Sequence, residues 1–101
     1  FHKRRDLVLH LVNDIKGLEV NVPEGAFYVF PDVSYYFGKT LNGVLINNAD
    51  DLALYLLEYA NVATVTGDAF GNPNRIRLSY ATSETFLIEA FKRIKEVLKE
   101  Q

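Results

Sequence analysis

Two arginines on one candidate strand are the residues of this sequence best suited to bind a ligand. Side chains alternate between the two faces of a strand, so the segment 75–80 is predicted to point Ile76, Leu78 and Tyr80 towards a core. The opposite face then carries Arg75, Arg77 and Ser79. A guanidinium held on a strand can bind a carboxylate through two parallel hydrogen bonds. The pattern indicates anion recognition, and a solvated face with two surface arginines is the alternative that it leaves open.

Other patterns that could carry chemistry are incomplete. Gly38-Lys39-Thr40 matches the end of a phosphate-binding loop, but Val33 stands where that loop needs its first glycine. The histidines, His2 and His10, do not have the spacing of a zinc helix, and the sequence has no cysteine. The serines lack a base at a recognisable spacing. We therefore predict no metal site and no catalytic residue in this chain.

Three helices are expected to support the arginine strand. The first has an apolar stripe that ends before Gly17, formed by Val8, Leu11, Val12 and Ile15. The second is capped by Asn48, with Leu52, Leu56 and Tyr59 on its buried side. The third begins near Thr82 or Ser83 and is predicted to bury Leu87, Ala90, Phe91, Ile94 and Leu98.

Short strands are expected between the helices. Residues 18–22 alternate as in a half-buried strand that ends at Pro23, whereas 26–30 are apolar on both faces. That second strand is expected to be covered on each side, so the chain alone should expose an apolar patch. The segment 35–46 is predicted to be irregular, with turn signals at Gly38 and Asn42-Gly43.

Composition limits the classes of function. The 101 residues are 49% hydrophobic, which is enough for one globular core. A formal net charge of −2 argues against a nucleic-acid partner. No apolar run approaches the ~18 residues that would span a membrane, and the absence of cysteine is compatible with the cytoplasm. A chain without methionine that opens on Phe1 is expected to be an excised domain.

Five segments, in order, resemble the C-terminal part of pyridoxal-phosphate-dependent class I and II aminotransferases, especially those similar to aspartate aminotransferase. The most specific is Phe70-Gly71 followed by Arg77-Leu78-Ser79-Tyr80-Ala81-Thr82-Ser83. The others are Arg4-Arg5-Asp6, the glycine-led stretch 23–32, the helix and strand of 55–67, and the last helix, 84–98. Thr66 departs from the proline that many relatives carry before the glycine.

The resemblance implies a fold and a role. The fold class is α+β, with three helices packed on a small, mainly antiparallel sheet, and residues 1–101 would form the small C-terminal domain. Arg77 would bind the α-carboxylate of an amino acid or 2-oxo acid, and Phe27 would face the same site. The cofactor lysine for pyridoxal 5'-phosphate would lie in a large domain outside this chain, so the fragment alone would bind no cofactor and be inactive.

The resemblance also implies partners and leaves one alternative. The small domain would contact its own large domain and the second subunit of a cytoplasmic homodimer. It would bind neither nucleic acid nor a membrane. The sequence does not name the amino-acid donor. The alternative function is a free-standing regulatory α/β domain that binds a carboxylate effector on the Arg75/Arg77 face.

Overall fold

Helices and short strands alternate along the chain. The computed structural model describes residues 2–19, 28–67, 71–79 and 83–99. In chain order these form α1 (His2–Asn13), β1 (Tyr28–Val29), a 3-10 helix (Ser34–Tyr36), β2 (Lys39–Leu41), β3 (Val44–Ile46), α2 (Ala49–Ala60), β4 (Val65–Thr66), β5 (Ile76–Ser79) and α3 (Glu84–Val97). The predicted α+β class is confirmed.

The strand with the two arginines is the middle strand of its sheet. The order is β1-β5-β4, and both pairings are antiparallel. Tyr28 lies opposite Ser79 on one side of β5, and Val65 lies opposite Arg77 on the other. Because hydrogen-bonded neighbours flank β5 on both sides, its backbone is the best-supported part of this sheet.

The segment 35–46 is more regular than the sequence predicts. After the 3-10 helix, β2 and β3 pair in register as an antiparallel hairpin, with Leu41 opposite Val44. The connecting residues Asn42 and Gly43 have φ of 49° and 79°, which is the sign that a two-residue hairpin turn requires. The prediction of an irregular segment is therefore wrong, although the turn itself was correctly marked.

Both later helices begin at the predicted caps. The Asn48 side-chain oxygen accepts a 2.9 Å hydrogen bond from the Asp51 amide, and the Ser83 hydroxyl accepts one of 3.2 Å from the Phe86 amide. Each cap satisfies an amide that has no carbonyl partner in the first turn of its helix.

One hydrophobic cluster joins the three helices and the sheet. The predicted stripe of α3 and its following residue is buried throughout: Leu87, Ala90, Phe91, Ile94 and Leu98. Val8, Val12 and Ile15 are buried as predicted, while Leu11 is only partly buried. In α2, Leu52 and Leu56 are buried, but Tyr59 is 45% exposed and Tyr55 takes the predicted inward place. The prediction for Tyr59 is wrong because α2 turns the face that carries Tyr55 towards α3.

Parts of two predicted strands lie outside the described residues. Of 18–22 the structure describes Leu18, which is buried, and Glu19, which bridges to Asp32. Of 26–30 it describes 28–30, where Val29 is fully buried. Within the described ranges, no helix has both the length and the hydropathy needed to cross a membrane.

Candidate functional site around Arg77

Arg77 lies in the middle strand, on the face of the sheet opposite the core. Its neighbours Ile76 and Leu78 are buried, whereas Arg77 is partly buried and Ser79 is exposed. This confirms the alternation predicted for the strand, apart from Tyr80, which lies outside the described residues. The guanidinium of Arg77 is thus presented from a strand that is paired on both sides.

The guanidinium of Arg77 lies over an aromatic ring. Its Cζ atom lies 4.5 Å from the centroid of the Tyr28 ring, within the distance range of a cation–π interaction. Tyr28 pairs with Ser79, two positions along β5 from Arg77, so the two side chains are diagonal neighbours on one face. No carboxylate pairs with Arg77 among the residues that the structure describes.

Arg75 is engaged differently, although it lies on the same side of the sheet. Its Nη1 atom donates a 2.5 Å hydrogen bond to the backbone carbonyl of Phe30, and its backbone bridges to Asp32. The Arg75 side chain therefore braces β5 against the segment that follows β1. One guanidinium is therefore hydrogen-bonded to the backbone, and the other lies over an aromatic ring.

Backbone hydrogen bonds join Gly67, which follows β4, to the residues before β5. The amide of Gly67 donates to the carbonyl of Arg75 at 2.7 Å, and the amide of Asn72 donates to the carbonyl of Gly67 at 2.7 Å. A Cβ atom at Gly67 would overlap the carbonyl oxygens of Asn72 and Arg75. Glycine is required here for this close approach of backbone to backbone.

The structure also identifies a residue of this face that the sequence did not select. Phe27, the predicted second site residue, lies outside the described residues and stays a prediction. Tyr28, which the sequence pattern does not single out, is the aromatic residue that contacts Arg77. The contact between Tyr28 and Arg77 follows from the pairing register of β1 and β5. The sequence of one strand alone does not predict it.

The six lysines of this chain are exposed or only partly buried. Lys39 is partly buried, with its Nζ atom 4.5 Å from the centroid of the Tyr35 ring. The other five are exposed: Lys3, Lys16, Lys92, Lys95 and Lys99. A lysine that reacts with carbonyl groups at neutral pH is normally enclosed and desolvated. Among the described residues, no three His, Cys, Asp or Glu side chains cluster so that they could hold a metal ion.

Comparison with known proteins identifies the family. The family model described as aminotransferase class I and II matches residues 1–94. This chain belongs to that family.

Individual relatives agree with this assignment. A bifunctional aspartate aminotransferase and glutamate/aspartate-prephenate aminotransferase of Petunia hybrida is 46% identical over 99 residues, which are 97% of this chain and 21% of that protein. The crystal structure of the aspartate aminotransferase from Rhizobium meliloti matches with a TM-score of 0.90 at 47% identity, over 95% of this chain and 24% of the other. An alanine aminotransferase from Pyrococcus furiosus matches with a TM-score of 0.81 at 29% identity, over 94% and 23%.

The chain spans 21% to 24% of the length of these three relatives. It therefore corresponds to one part of an aminotransferase.

Proposed function

We propose that this chain is the C-terminal small domain of a pyridoxal-phosphate-dependent aminotransferase, and that Arg77 binds the α-carboxylate of its amino-acid and 2-oxo-acid substrates. The observation that carries the proposal is the state of the Arg77 guanidinium. It is partly buried on a doubly paired strand, it lies over the Tyr28 ring, and none of the described carboxylates pairs with it.

This geometry suits recognition of a carboxylate. The planar fork of an arginine can donate two parallel hydrogen bonds to the two oxygens of a carboxylate, which fixes orientation as well as position. An amino acid held in this way presents its α-carbon and amino group in one direction. Such positioning lowers the entropic part of an activation barrier.

The remaining chemistry belongs to other parts of the protein. Pyridoxal phosphate supplies an electron sink for carbanions when it is bound, and the exposed lysines of this chain do not fit its attachment. In this proposal a large domain provides that lysine, a second subunit completes a homodimer, and closure of the small domain excludes water from the substrate. A contact of Phe27 with the substrate and a cytoplasmic location belong to the same proposal.

A free-standing regulatory domain that binds an effector between the two arginines is less well supported. The Arg75 guanidinium uses one of its five N–H donors on the Phe30 carbonyl, and this bond orients it towards the backbone, whereas no described backbone or carboxylate group holds the Arg77 guanidinium in this way.

The test compares Arg77→Lys with Arg75→Lys in the full-length protein that contains this chain. Lysine keeps the positive charge but loses the planar fork. Arg77→Lys should therefore lower kcat/KM for an amino-acid donor by a factor that corresponds to about 2–4 kcal/mol of lost transition-state stabilisation. Arg75→Lys is the matched control and should change kcat/KM little, because a lysine can still donate to a backbone carbonyl. Equal losses, or a larger loss at Arg75, would refute the assignment of the carboxylate site to Arg77.

A further inference from the structure

We propose that Tyr28 is a positioning residue, whose ring holds the Arg77 guanidinium in a single orientation before the substrate binds. This inference rests on the proposed function of Arg77 and extends it to a residue that does not itself touch the substrate. The observation behind it is the 4.5 Å distance between the Arg77 Cζ atom and the centroid of the Tyr28 ring.

The Tyr28 ring is itself well fixed. Its backbone is paired with Ser79 in the β1–β5 ladder, and the next residue, Val29, is fully buried opposite Leu78. The ring also contacts that of Phe30, with centroids 6.5 Å apart and planes tilted by 44°. The Arg77 guanidinium therefore lies over a side chain whose backbone is paired in the sheet.

Stacking and carboxylate binding use different parts of a guanidinium. The ring attracts the flat face of the cation, whereas the N–H donors lie around its edge. Tyr28 can thus restrain Arg77 while leaving its edge free for two hydrogen bonds. Arg75 is the internal contrast, because it uses one of its edge donors on the Phe30 carbonyl.

Restraint before binding has a measurable benefit. An arginine side chain loses rotamer freedom when it is fixed, and a side chain that is already held in place loses less of it when the ligand binds. A cation–π contact contributes about 0.5–2 kcal/mol, so its removal should weaken selection for the α-carboxylate by about 2- to 30-fold.

The experiment uses L-aspartate and β-alanine, which is aspartate without its α-carboxylate, as donors for the full-length holoenzyme. The readout is kcat/KM for L-aspartate divided by kcat/KM for β-alanine, each measured for amino transfer in a single turnover. Tyr28→Leu should lower this ratio by about 2- to 30-fold. Tyr28→Phe, which keeps the ring and loses only the hydroxyl, should retain most of the ratio. Tyr28→Val replaces the leucine variant if the latter does not fold.

An Arg77→Leu variant separates the two proposals. If Arg77→Leu leaves the ratio unchanged, the carboxylate site is not at Arg77, and both proposals fail. If Arg77→Leu collapses the ratio and Tyr28→Leu does not change it, only the role of Tyr28 is overturned.

Three further outcomes bear on Tyr28 alone. An equal loss for aspartate and β-alanine in Tyr28→Leu would mean a general structural role and overturns the proposal. A Tyr28→Phe variant as impaired as Tyr28→Leu overturns it too, because the hydroxyl and not the ring would then be needed. In the Arg77→Leu background, Tyr28→Leu should have no further effect on the ratio, and an additional loss there contradicts action through Arg77.

Discussion

The hydroxyl of Tyr55 in α2 donates a 2.6 Å hydrogen bond to the backbone carbonyl of Val97, the last residue of α3. The same hydroxyl accepts a 2.8 Å hydrogen bond from the side-chain amide of Asn42 in the β2–β3 turn. One buried side chain thus links two helices and the hairpin.

We expect Tyr55→Phe to lower the free energy of unfolding of the 101-residue chain by about 1–2 kcal/mol, because it leaves a carbonyl without its donor. The matched control is Tyr59→Phe, which removes a hydroxyl from a 45% exposed tyrosine one turn along α2.

Burial raises the pKa of Tyr55 above its ordinary value. The stability that goes with this raised pKa is present below about pH 10, the unfolded pKa, and is lost at higher pH. Urea unfolding at pH 7 to 11 measures both effects, and equal losses in the two variants would contradict this role.

A second prediction concerns the ion pair between α3 and the end of α1. The Nζ atom of Lys95 lies 2.6 Å from a carboxylate oxygen of Asp14, and this hydrogen bond, together with the charge, lowers the pKa of Asp14. The associated stability is therefore present above the unfolded pKa and is lost as the pH falls through the lower folded value. In Lys95→Gln the carboxyl carbon resonance of Asp14 should titrate at higher pH than in the unchanged chain. Lys92→Gln, another exposed lysine of α3, is the control, and an unmoved midpoint in Lys95→Gln would disprove the pairing in solution.

A third prediction is that the 101-residue chain alone binds no pyridoxal phosphate at a specific site. Five of its lysines are exposed and Lys39 is only partly buried, so none should form an imine selectively. Absorbance titration with pyridoxal phosphate should give no saturable band, and amino transfer should be undetectable. Stoichiometric binding with turnover would contradict the assignment of the cofactor lysine to another part of the protein.

A fourth prediction is that the chain alone self-associates. The sequence predicts an apolar patch around 26–30, and the described part of the structure adds exposed leucines on α2. Leu54 is 66% exposed and Leu57, one turn further, is 50% exposed, so they form a continuous apolar surface. The mass from light scattering should rise with concentration and fall towards the monomer in Leu54→Glu/Leu57→Glu. The double variant Thr40→Glu/Thr85→Glu adds the same charge at exposed sites elsewhere and should still associate. A monomer at every concentration would refute the patch.

The sequence predicts those elements whose stability is local. Asn48 and Ser83 cap α2 and α3 as expected because a cap satisfies amides within three residues of itself. The stripe of α3 follows directly from helical spacing. Alternation along the strand likewise predicts that Ile76 and Leu78 are buried while Arg77 lies on the opposite face.

What the sequence does not predict depends on distant partners. Tyr55 and Tyr59 both fit the inner side of α2, and only the carbonyl of Val97 and the amide of Asn42 select Tyr55. The hairpin strands have three residues each, too few for a clear alternation. The contact of Tyr28 with Arg77 depends on the pairing register between strands some fifty positions apart.

The pairing of Asp14 with Lys95 also has a consequence for the order of folding. These residues are 81 positions apart in the chain, and α1 packs against α3 around them. A nascent chain leaving the ribosome has α1 long before α3 exists, and the apolar stripe of α1 lacks its partner during that time. Contacts of such long range close late and slowly. Completion of this core therefore waits for synthesis of α3.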